Sequence, residues 1–195
     1  MRLSFGVKKI IAFLCEVSGL NNLSLYKLNK RYKNNYIRIV NYHFSPRKYA
    51  KQFEKQVAWL TKRFESCDYQ KLKSFLNGEY TFKSKPGIIF TFDDGFLENY
   101  EVAYPILKKY NAVGWYMISA GLVGETQYTN CYGKKTDYIG QKEIMQLLAD
   151  NSVIGCHTYT HHRMSIADTP EILKHEIFDA KVKLENITQH SIDLF

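Results

Sequence analysis

Two aspartates, Asp93 and Asp94, stand side by side at the end of an apolar, β-prone run, GIIFTFDDG, at residues 87–95. Further along, GCHTYTHH at residues 155–162 sets His157 and His161 four positions apart. Zinc and similar ions accept imidazole and carboxylate ligands together, and two histidines with one carboxylate leave a coordination position open for water, as a catalytic centre requires. Neighbouring side chains on a strand point to opposite faces, so the two aspartates share a pocket only where the strand ends and the backbone turns. Gly95 is the residue type that permits such a turn. Each signal is weak by itself, because an aspartate pair before glycine is commonly a plain turn and a histidine cluster is commonly solvated. Three of the six histidines nevertheless fall in this one stretch. A further histidine, His43, closes another β-branched run, YIRIVNYHF.

The elements that must position these residues are readable from periodicity. Residues 36–43 read as a strand. Ser45 as N-cap and Pro46 at the first helical position start a helix over 46–65, with Tyr49, Phe53, Val57, Leu60 and Phe64 on one apolar face. A short helix at YQKLKSFLNG stops at Gly78, and the strand GIIFTF follows Pro86. Residues 96–110 read as a helix that Pro105 kinks or divides. AVGWYMISA reads as a buried strand, GETQYTNCYGKKTDYIG as a long loop, QKEIMQLLAD as a helix and SVIGCH as another short strand. A last helix starts at Asp168 or Thr169, with Ile172, Leu173, Ile177, Ala180, Leu184 and Ile187 as one stripe. SIDLF at the end reads as the beginning of one more strand. Strands alternating with helices predict βαβ units, a mainly parallel sheet and an α/β fold. In such folds chemistry sits at the C-terminal ends of strands, where His43, Asp93, Asp94 and His157 fall.

The 195 residues suit one domain, although a large α/β barrel typically needs about 250. With 45% hydrophobic and 24% charged residues, disorder is excluded. The formal charge of +8 favours acidic partners such as nucleic acid, an anionic membrane surface or an anionic polymer. The basic residues are scattered and no RNA or DNA motif accompanies them, so nucleic acid is not expected. Cys15, Cys67, Cys131 and Cys156 lie far apart without a C-x-x-C pair, which points to reduced thiols and a cytoplasmic or peripheral-membrane setting. The N-terminal MRLSFGVKKIIAFLCEVSGL superficially resembles a secretory signal, and secretion stays open. Its apolar core is short and Glu16 follows at once, so an amphipathic helix packed on the domain or lying on a membrane surface is the preferred reading. The resulting division is an N-terminal helix and basic linker over 1–35 and a catalytic domain over 36–195.

Taken together, TFDDG at one strand end and H-T-x-x-H at a later one resemble the first two motifs of the NodB-type polysaccharide deacetylases, carbohydrate esterase family 4. The likeness extends through FDDGFLENYEVAYPILKKYNAVGWYMIS and IGCHTYTHHRMS, from about residue 36 to the C-terminus. It implies a (β/α) barrel, with Asp94, His157 and His161 holding a divalent metal, zinc being the expected ion, and Asp93 acting as general base. Such a metal lowers the pKa of its water and polarises an amide carbonyl. Family members resembling the circularly permuted enzymes that act on poly-N-acetylglucosamine carry an acid histidine on a strand ahead of TFDDG, a place that His43 fits. His162 is expected beside the site without a ligand role, Cys156 in the core, and Tyr42 and Tyr159 along the sugar groove. The implied activity is hydrolysis of N-acetyl groups on N-acetylhexosamine units of a polysaccharide or oligosaccharide, releasing acetate. The family's later motifs do not follow SIDLF, so the barrel is expected to be incomplete at the C-terminus. Truncation is the favoured account, against a second chain that completes the barrel or a degenerate remnant. A catalytically impaired remnant or a non-catalytic carbohydrate-binding protein is the rival function.

Overall fold

The computed structural model describes Cys15 and residues 18–195, so most of the expected N-terminal helix, and with it the membrane-surface reading, lies outside the described residues. Among the described residues no helix is long and apolar enough to cross a membrane. The first helix, α1, runs Leu20–Tyr32 and takes in part of the segment expected as a linker. Lys33 and Asn34 end it with positive φ, and the Asn34 amide then binds the carbonyls of Lys83 and Ser84.

Four parallel strands form the body of the sheet: β1 (Ile37–Tyr42), β3 (Gly87–Phe92), β4 (Gly114–Ile118) and β7 (Val153–Cys156), in the spatial order β1-β3-β4-β7. A short β2 (Glu65–Ser66) pairs with the start of β3, ahead of the Phe90–Phe92 segment that pairs with β4. Beyond β7, the Cys156 N–H donates to Leu194 O at 2.9 Å, so SIDLF does lie as a nascent neighbour of β7. The alternation read from sequence therefore produces the expected parallel α/β sheet. No ladder joins β1 to β7 among the described residues.

β3 explains why the sheet needs cover on both sides, since nearly every residue in it is buried. Ile88, Phe90 and Phe92 pack with Phe53 and Val57 of α2 (Ala50–Arg63), Leu107 of α4 (Tyr104–Lys109) and Leu147 of α5 (Gln141–Ala149). Ile89 turns to the other face with Trp115, Cys67 and Phe82, beside α3 (Tyr69–Leu76). Cys156 is buried in the first cluster, as expected, and burial pushes its thiol up to about 11.

Several local expectations need correction. Ser45 does not cap a helix: its buried Oγ has no partner, and a 3-10 turn at Arg47–Tyr49 leads into α2 at Ala50. The long loop contains a small antiparallel hairpin, β5 (Tyr128–Thr129) with β6 (Lys135–Thr136). Pro105 lies within α4 just after a π turn at Asn99–Ala103; proline lacks the N–H for an i−4 bond, and the π turn absorbs the mismatch. The last helix starts with Thr169 as its cap and is likewise divided: α6 (Pro170–Leu173), a π turn at Lys174–Asp179, and α7 (Ala180–Thr188). The wider turn shifts the expected stripe. Glu176, Ala180, Leu184 and Thr188 are buried in a row, whereas Ile177 is 42% exposed.

Candidate active site

Asp93 and Asp94 occupy different structural positions. The Asp93 N–H donates to Tyr42 O at 2.9 Å and so extends the β1–β3 ladder by one residue. Its side chain stays on the Asn41–Thr91 face, where Asn41 Nδ2 donates to Asp93 Oδ2 at 2.8 Å and to Thr91 Oγ1 at 3.0 Å. At Asp94 the backbone turns into the left-handed region, φ 72°, and Gly95 continues the turn at φ 81°. A non-glycine residue in that region is uncommon and is held by its surroundings. The turn carries the Asp94 side chain away from Asp93 and buries it.

The loop that carries His157 and His161 approaches from β7. His157 N–H donates to Ile118 O at 2.8 Å, continuing the ladder with β4. Left-handed residues at Thr158 and His161, both φ 63°, then fold the loop back. This brings His161 Nε2 to 2.9 Å and His157 Nε2 to 3.4 Å from Asp94 Oδ1. Burial works against ionisation of Asp94, but the two facing imidazoles outweigh it and hold the carboxyl well below the usual carboxylate range. Asp94 in turn raises the His161 pKa against the opposing effect of burial.

These three residues fit a metal ion. Both Asp94 oxygens are buried without a donor in hydrogen-bonding geometry, which is costly unless something else satisfies them. One ligand atom from each of Asp94, His157 and His161 lies within 4.8 Å of the others. Ligands of four-coordinate zinc at about 2.0–2.1 Å stand roughly 3.3 Å apart, close to the separations seen here.

His43 follows β1 and reaches the same face, its Nε2 3.8 Å from Asp93 Oδ2. The Asn99 amide, presented from the first π turn, donates to the His43 carbonyl at 3.0 Å. All five residues singled out from sequence thus gather in two groups, Asp94–His157–His161 and Asp93–His43. His162 stands apart, paired with Asp168 at 3.0 Å. The two tyrosines expected along the groove lie in different places: Tyr42 packs with Phe53 and Phe92 and lines a concavity with Trp59 and Gln56, while Tyr159 packs against His175 and lines another with Phe178 and Lys183. The aromatic residue found at the site instead is Tyr132, half exposed on the hairpin loop, edge-on to His43 with ring centroids 6.5 Å apart. Asn130 fixes that loop by accepting from the Tyr132 and Lys134 amides, both at 3.0 Å. The sequence signal for it was the turn-forming stretch TNCYGK, which carries no chemical motif.

The parallel sheet and the cluster at its strand ends define an α/β protein with a candidate carboxylate–histidine metal centre. The profile of the polysaccharide deacetylase family matches residues 82–195, more than half of the chain, and the chain belongs to that family. A poly-beta-1,6-N-acetyl-D-glucosamine N-deacetylase of Staphylococcus aureus (strain MRSA252) is 31% identical over 162 residues, covering 78% of this chain and 52% of that protein. The chain thus spans about half the length of the curated relatives it matches. Among solved structures, IcaB from Ammonifex degensii superposes with a TM-score of 0.62 at 23% identity, over 81% of this chain and 72% of that one. The Streptococcus pyogenes deacetylase PplD gives 0.61 at 19% identity, over 80% and 69%. Both likenesses concern the fold, which is that of the NodB-type deacetylase structures.

Proposed function

We propose that this chain is a metal-dependent N-deacetylase that removes acetyl groups from N-acetylhexosamine units of a polysaccharide. The observation that carries the reading is the buried, donor-less Asp94 carboxylate facing two histidine nitrogens at 2.9 and 3.4 Å. Asp94, His157 and His161 would hold the ion, with zinc the expected one. When bound, it supplies a Lewis acid that acidifies water and polarises the acetamide carbonyl.

The chain's own residues handle the protons. Asp93 is the general base: Asn41 fixes its Oδ2, and it takes a proton from the attacking water. His43 is the general acid, protonating the nitrogen as the carbon–nitrogen bond breaks, so that acetate and a free amine leave. His43 Nε2 stands 3.8 Å from Asp93 Oδ2, so the proton returns from Asp93 to His43 for the next cycle through one bridging water. The chemistry of the Staphylococcus aureus relative's named substrate supports N-acetylglucosamine polymers as the substrate class.

The test is a zinc titration of the purified protein beside His157→Ala and Asp94→Ala, followed by acetate release from N-acetylglucosamine oligomers. One zinc per chain, lost in both variants, with zinc-dependent acetate release, is the expected result. Zinc and glycan binding without acetate release would convert the reading to a carbohydrate-binding protein. Folded protein with no site-dependent zinc binding would sink it.

A further inference from the structure

The loop that carries His157 and His161 is fastened on two sides, and its backbone groups show how. Its carbonyls face the segment after β4: His157 O accepts from Ser119 Oγ at 3.0 Å, Thr158 O from Ala120 N at 3.0 Å and Tyr159 O from Gly121 N at 2.7 Å. Its amides face the last helix. Tyr159 N and Thr160 N both donate to Glu176 Oε2 at 2.9 Å, and the Thr160 hydroxyl donates to Glu176 Oε1 at 2.6 Å. Glu176 is only 4% exposed, and among the described residues no lysine, arginine or histidine forms an ion pair with it. A buried carboxylate without a cation is costly and persists only where donors converge on it.

The helix register makes this arrangement more than incidental packing. An uninterrupted α-helix with the stripe of the sequence would turn Ile177 inward. Glu176 keeps the i−4 row of Ala180 and Leu184 and is buried, while the π turn at Lys174–Asp179 rotates Ile177 away from it and leaves that residue 42% exposed. The fold thus leaves an isoleucine partly in water and desolvates the carboxylate beside it. π turns of this kind are frequent at functional sites.

We infer that Glu176 is a positioning residue for the metal ligands: it locks Tyr159 and Thr160 between two left-handed residues, so that His157 and His161 face Asp94 before an ion arrives. This rests on the metal reading above. Groups bonded directly to metal ligands change metal affinity by about 10–100-fold when removed, and Glu176, which acts through the backbone between the two histidines, is expected at the lower end of that range.

The experiment is a Zn²⁺ titration of metal-free protein against a chelating dye, with the visible spectrum of the Co²⁺ form as a second readout. In Glu176→Leu, which fills the space without an acceptor, all three bonds are lost, and Zn²⁺ affinity is expected to fall by about 10-fold with a changed Co²⁺ spectrum. Thr160→Val removes one of the three bonds and is expected to show a smaller loss in the same direction, with the double variant no weaker than Glu176→Leu. Unchanged Zn²⁺ affinity and an unchanged Co²⁺ spectrum in folded Glu176→Leu, even with a changed melting temperature, would assign Glu176 to packing alone and overturn the inference. If Glu176→Leu does not fold, unchanged affinity in Thr160→Val overturns it. An unsubstituted protein that binds no Zn²⁺ removes the metal reading itself and the inference with it, an outcome distinct from the others.

Discussion

Asp93 and Asp94 show how far a single backbone turn separates two identical side chains. Asp93 remains in the strand ladder with its carboxylate held by Asn41, whereas Asp94 crosses into the left-handed region and is buried against the histidines. The base and ligand roles proposed for them therefore come apart in a substitution. Asp93→Asn is expected to bind zinc as before and to lower acetate release by about 10²–10⁴-fold, the usual contribution of a general base. Loss of zinc binding in the same variant would place Asp93 among the ligands instead. At this scale the sequence exposed the residues that carry chemistry by type, His43, Asp93, Asp94, His157 and His161. It did not expose those that hold them. Asn41 sits 52 positions from Asp93 and Asn99 56 positions from His43, so their partnerships exist only after the strands have paired. Asparagine and glutamate are also ordinary surface residues, with nothing in their type to mark a buried role.

Two π turns do parallel work at the level of elements. One presents Asn99 to the His43 carbonyl and the other presents Glu176 to the ligand loop, so each half of the site is steadied from a different helix. Asn99→Leu removes the amide that restrains His43 without touching a residue assigned to the metal. Acetate release is expected to fall by up to about 100-fold, because small displacements of a reacting group are expensive, while Zn²⁺ affinity stays within error. A matching loss of Zn²⁺ affinity would show that the two halves are not separately held. The order of strands and helices was legible, since β3 and β4 are continuous apolar runs and the intervening helices have apolar faces. The π turns were not, because a hydrophobic stripe is read at one fixed period and an extra residue in the turn rotates it. β5 and β6 also escaped notice, for two-residue strands are too short to show alternation.

Across the whole molecule, carboxylates tie helices to their neighbours. Lys71 Nζ lies 2.7 Å from Glu65 Oε1, joining α3 to β2, and Lys109 Nζ lies 2.6 Å from Glu54 Oε1, joining α4 to α2. Asp150, just after α5, accepts from Lys108 and Tyr104 of α4, and the Lys108 and Tyr104 hydrogen bonds bring its carboxyl down to about 2. Hydrogen bonds from the paired lysines likewise lower Glu54 and Glu65. A folded-state pKa below the unfolded one means the folded form holds its proton less tightly, so stability is fully present above the unfolded value near about 4 and is lost as pH falls through the folded values. Each exposed pair contributes little by itself, but all three act in one direction. Protonation also adds to a formal charge that is already +8 at pH 7, so self-repulsion works the same way. The melting temperature is therefore expected to hold between about pH 5 and 7 and to fall steadily below about pH 4. Asp150→Asn isolates one pair from the general repulsion: it should melt lower than the unsubstituted protein at pH 6, with the difference narrowing as the pH approaches 2, where Asp150 itself protonates. A constant difference across that range would mean that the Asp150 contacts stabilise through packing and not through charge.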